Sequence, residues 1–156
     1  MSYQIADEPE TGEGRGAYIF RPNAPLLAEM LCGSWLSFPW FAFNAWALGS
    51  PTSRRQIKLC VLAMATIVVL AFAIYGLVDV GVIESRQTLR IALLGLDAVK
   101  IGLAYKLAAM QARTFEVYTY YGGTVQKAPA VIFAGRMLRP ILYGLSASPV
   151  WHAILF

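Results

Sequence analysis

Between Lys58 and Asp79 the chain carries no Asp, Glu, Lys, Arg or His, and Leu59 to Val78 is mostly Val, Ile, Leu, Ala and Phe. Roughly 20 such residues, wound at ~1.5 Å each, cross the ~30 Å hydrocarbon layer of a bilayer. A second apolar stretch, from Leu89 to Gln111, follows a short loop bearing Glu84, Arg86 and Arg90. The two stretches predict a transmembrane hairpin over residues 57–110, with spans at 57–83 and 89–111. The other segments are placed relative to it.

Composition agrees. Hydrophobic residues make up 58% of the chain and charged residues 14%, against about 45–50% and about 25% in a soluble domain. Mean hydropathy is +0.55, and the apolar residues come in runs rather than in alternating stripes. At 156 residues one compact unit is the natural expectation. The net charge of +4 does not point to nucleic acid. Lys and Arg sit at segment ends, as a membrane protein requires, and no basic run interleaved with aromatics occurs. Cys32 and Cys60 lie in apolar segments without metal-ligand spacing, so both read as small buried hydrophobes.

Residues 1–24 read as a polar extramembrane tail and 25–156 as a helical membrane domain. The tail is net acidic, contains Glu-Pro, Thr-Gly-Glu-Gly and Arg-Gly, and lacks the basic-then-apolar order of a signal peptide. Its composition buries little, which predicts disorder in isolation and ordering on a partner. A first span is expected over 26–48, kinked at Pro39 and stopped by Gly49-Ser50-Pro51. Gly95, Ala98, Gly102 and Ala109 form one small-residue strip on the third apolar segment, suited to close helix packing in lipid. Residues 112–129 turn polar, with interfacial tyrosines. A fourth span over 130–156 is interrupted by Arg136, Arg139 and Pro149 and could equally be interfacial. The expected fold is therefore all-α: an integral membrane helical bundle with three to four transmembrane helices. The slight excess of Lys and Arg at one end favours the amino terminus outside.

One constellation stands out. With antiparallel neighbours, Glu29, Asp79, Asp97 and Lys100 fall in one half of the bilayer, and His152 joins them if the last segment spans. Asp97 and Lys100 are three apart and can pair on one helix surface. Ionised groups at such depth need protein or water around them. They form either a polar site between helices, for an ion, a proton or a headgroup, or an ionic network that fixes packing. Trp35, Trp40 and Trp46, with His152, are candidate contacts for lipid or pigment, although an aromatic belt explains the rings equally. His152 is the only histidine, and nothing around it resembles a catalytic triad, a phosphate loop or a zinc motif.

No self-contained catalytic set is found, so no enzyme activity is expected. The expected function is that of an accessory subunit of a larger respiratory, photosynthetic or transport assembly. It would sit multi-pass in a bacterial or organelle inner membrane, with lipid and other membrane subunits as partners and no nucleic acid. Beyond bound lipid, no cofactor or metal is implied. Two alternatives share the same residues: a small oligomeric transporter using Asp97 and Lys100, and a regulator, assembly or immunity factor that binds another membrane protein.

Overall fold

The computed structural model describes residues 18–156, and these form six α-helices with one isolated bridge between Phe20 and Gln126. The helices are α1 (Asn23–Leu31), α2 (Ser34–Ala47), α3 (Ser53–Asp79), α4 (Arg86–Tyr120), α5 (Pro129–Gly144) and α6 (Pro149–Leu155). The helical class is as expected. Residues 1–17, which make up most of the expected tail, lie outside the described residues. The remainder of that tail is not idle: Ile19 is buried against Ala47 and Leu48, and Phe20 meets the Trp40 ring edge-on at 5.1 Å.

The central unit is the antiparallel pair α3–α4, turned by Val80–Ser85. Gly81 takes φ +76° in that turn, and the Ser85 hydroxyl caps α4 by accepting from the Gln87 N–H at 3.2 Å. α3 turns Gln56, Cys60, Ala63, Ile67 and Ala71 inward, at steps of three and four. α4 answers with Leu96, Lys100, Ala104, Leu107, Ala108 and Gln111. α2 lies across both, with Phe38 and Phe41 in the common core.

The expected 26–48 span is instead two helices, α1 and α2, meeting at Cys32-Gly33. Gly33 adopts φ +103° and ψ 178°, a backbone that side chains forbid, and a Cβ there would strike the backbone of Leu155 and Phe156. Pro39 does not break the chain. It sits early in α2, where its lost amide forfeits a single helical bond, and the helix runs on to Ala47. α4 also departs from expectation by continuing through residues 112–120. The segment 130–156 divides into α5 and α6, each beginning with a proline.

Among the described helices, α3 is the one long and apolar enough to cross a membrane, and 22% of its most apolar stretch is buried. α1, α2, α5 and α6 are too short, and α4, although ~52 Å long, carries Asp97, Lys100 and Lys106 inside its apolar stretch. The small-residue strip is not packed against the chain's other described helices. Gly95, Ala98, Gly102 and Ala109 are exposed, half a turn from the buried face of α4.

Candidate functional site

The interior of the bundle holds a seam of polar side chains. Glu29 of α1, Ser34, Ser37 and Asn44 of α2, Gln56 of α3, and Lys100 and Gln111 of α4 are all buried. On α2 the inward positions 34, 37, 41 and 44 repeat at three and four, as do 100, 104, 107 and 111 on α4. Asn44 meets Gln111 at one end, and Ser34 meets Glu29, which lies within electrostatic reach of Lys100, at the other, so the two helices run the same way, with an ionic end near Ser34 and Lys100 and an amide end near Asn44 and Gln111.

At the ionic end, Ser34 Oγ donates to Glu29 Oε1 at 2.6 Å and Ser37 Oγ donates to the Pro25 carbonyl at 2.8 Å, which ties α2 to α1. Glu29 Oε2 has no hydrogen-bond partner. Lys100 Nζ reaches Asp97 Oδ1 at 3.4 Å. The lysine side chain is 3% exposed and the aspartate 51%, so the contact leads from the core to the surface. Lys100 also attracts Glu29 across the α1–α4 contact, while Asp97 repels it. The buried lysine thus pairs with the carboxylate at the rim, while Glu29, sealed inside, is bonded to Ser34.

Asp97 and Lys100 open onto a cavity of about 260 Å³ that Tyr75, Tyr143 and His152 also line. His152 stacks on the Tyr143 ring, with centroids 3.6 Å apart and planes 8° from parallel. Its Nε2 lies 3.1 Å from the Tyr143 carbonyl oxygen, which holds the imidazole in place from α6. Of the residues singled out in the sequence, Asp97, Lys100 and His152 line this cavity, and Glu29 does not. Asp79 is not part of it: this residue ends α3, is exposed, and does not line the cavity.

At the amide end, Asn44 binds both backbone groups of Phe20, accepting from its N–H and donating to its carbonyl, each at 3.0 Å. Asn44 Nδ2 also donates to Gln111 Oε1 at 3.0 Å, and Gln111 Nε2 donates to the Phe41 carbonyl at 2.8 Å. This clasp joins the incoming segment, α2 and α4. Sequence reasoning missed it. The usable signal was geometric: Lys100 and Gln111 are eleven apart, three helical turns, and so share a face.

The tryptophans take separate positions. Trp35 Nε1 donates to the Cys32 carbonyl at 2.9 Å and so answers the end of α1. Trp40 is buried against Phe20, inside rather than facing lipid. Trp46 is exposed beside Phe43. Both cysteines are free and buried. Among the described residues no three His, Cys, Asp or Glu side chains group as a metal site.

Compared with known families, curated proteins and solved structures, the chain matches none. Any functional reading therefore rests on the geometry above.

Proposed function

We propose that this chain is an integral membrane protein whose α3–α4 pair crosses the bilayer, and that it serves as an accessory component of a larger membrane assembly. The membrane part is supported by an inverted distribution of polarity. Val61, Leu62, Val69 and Phe72 of α3 and Ile91, Leu94 and Tyr105 of α4 are exposed, while Lys100, Gln56, Asn44 and Gln111 are buried. Water would favour the opposite arrangement; lipid favours this one.

The observation that carries the accessory reading is the uncovered strip Gly95, Ala98, Gly102 and Ala109. It lies on the outward side of α4, and a Cβ added at Gly95 or Gly102 meets nothing. In lipid such a strip lets a second helix approach closely, where dispersion and weak backbone contacts hold the pair. Nothing among the described residues covers it, so a partner helix is its natural occupant. The ionic end then acts as a packing device that holds α1 and α2 against α4.

The test is blue-native electrophoresis of a mild detergent extract. Wild type should migrate in a large species, and Gly102→Leu should release the 17.1 kDa chain with its own thermal midpoint intact. Wild type migrating alone would overturn the accessory role. A second reading, a small oligomeric transporter, is favoured by the cavity beside Asp97, Lys100 and His152. Proteoliposome flux that persists unchanged in Asp97→Asn and Glu29→Gln variants would remove it.

A further inference from the structure

We propose that a second cavity, at the α2–α3 connector, binds a phosphate group, its position favouring the headgroup of an anionic phospholipid. The cavity measures about 450 Å³ and is lined by Ser50, Thr52, Arg113 and Thr114, with apolar walls that include Met110 and Val117. It lies at the opposite end of the α3–α4 pair from the cavity at Asp97 and Lys100.

Three hydroxyls meet there, from Ser50, Thr52 and Thr114. Thr114 Oγ1 donates to Ser50 Oγ at 3.3 Å, and the Thr52 N–H donates to the same oxygen at 3.2 Å. With both of its acceptor sites taken, Ser50 gives its own proton to Thr52 Oγ1 at 2.9 Å. Gln56 Nε2 donates to Thr52 Oγ1 as well, at 3.0 Å. Thr52 is exposed, so its hydroxyl is open to an incoming ligand, and the Gln56 amide oxygen, Oε1, is buried without a partner. Arg113 makes no ion pair among the described residues. A guanidinium and a hydroxyl donor facing one cavity form a donor set that a phosphate oxygen completes, and a planar guanidinium suits phosphate geometry.

The surrounding charge points the same way. Arg54, Arg55 and Lys58 are exposed on the first turns of α3, and that helix has no acidic residue in its first turn. Glu116, one turn from Arg113, lines a different depression with Arg21 and Asn23. The source of the phosphate rests on the membrane reading above. Thr52 lies seven residues before the uncharged run begins at Leu59, ~10 Å outside the hydrocarbon if α3 crosses it. That is headgroup depth, where basic residues attract anionic lipid.

The experiment follows the thermal midpoint of the full chain in detergent while phosphatidylglycerol, phosphatidylcholine or inorganic phosphate is added at constant ionic strength. Phosphatidylglycerol should raise the midpoint more than phosphatidylcholine. The rise should fall below half in Arg113→Gln and in Thr52→Val, and persist in Lys106→Gln, which removes an exposed charge elsewhere on α4. A response to inorganic phosphate that is lost in Arg113→Gln supports the site with the free ion as its source. A response to phosphatidylglycerol alone assigns it to lipid. Arg113→Gln responding as wild type, or no response to either anion, overturns the proposal. If the chain proves folded in water without detergent, the membrane reading fails separately, and the inorganic phosphate arm still decides the site.

Discussion

Lys100 shows how one residue can bind a fold together. Its ammonium is buried, pairs with Asp97 at 3.4 Å and lies within electrostatic reach of Glu29. Removing one partner of a buried ionic pair typically costs about 3–5 kcal/mol, because the survivor is left charged in a poor solvent. Lys100→Leu should therefore destabilise strongly by stranding Glu29, and adding Glu29→Gln should recover much of the loss. A double-mutant cycle on thermal midpoints reads that coupling. Asp97→Ala should cost less than Lys100→Leu, since the aspartate is half exposed and Glu29 still answers the lysine. The Asp97–Lys100 contact was legible from the sequence because charges are sparse in apolar segments and these two stand three apart on one helix. Asn44 and Gln111 were not legible. A neutral amide in an apolar run raises no electrostatic objection until its partner is known.

At the scale of the element, the break between α1 and α2 carries the lesson. Proline is the stronger helix breaker in isolation, so Pro39 drew the expected kink. The structure breaks at Gly33 because the chain must turn there and because the backbone of Leu155 needs the space beside it. Neither requirement is visible locally. Gly33→Ala should destabilise by well over 1 kcal/mol, through positive φ and through the displaced α6. Hydrogen exchange should locate the loss in α1, α2 and α6 and spare α3. The Arg139 guanidinium, 3.4 Å from the Leu31 carbonyl and over the Phe156 ring, belongs to the same corner and closes α1 from α5. The existence of α3 and α4 was readable from hydropathy, and their turn from its short polar loop. Which face of α4 points inward was not. Small residues suit either a neighbour within the chain or one outside it, and α4 gives its inward face to larger side chains that fill the core.

For the whole molecule, the sign of a surface substitution distinguishes the two solvents. Val69 is 66% exposed near the middle of the uncharged run of α3. In water Val69→Lys would be nearly neutral and would improve solubility. At the centre of a bilayer it should cost about 2.5–3.5 kcal/mol, read as lost membrane insertion. Insertion of Val69→Lys as efficient as wild type would reject the crossing of α3. Apolar runs made the helical character of this molecule visible at once, but length and apolarity single out α3 as the one candidate span among the described helices. The other helices depend on neighbours that no window of sequence contains.

α4 keeps its ionic lysine on one side and its glycines on the other, and this separates two kinds of failure by angle around a single rod. Walking along its residues, damage to the chain's own architecture and damage to its company should alternate half a revolution apart. A lesion at 100, 104 or 111 would lower the stability of the fold itself. On the accessory reading proposed above, one at 95, 102 or 109 would leave the fold intact and weaken only the association.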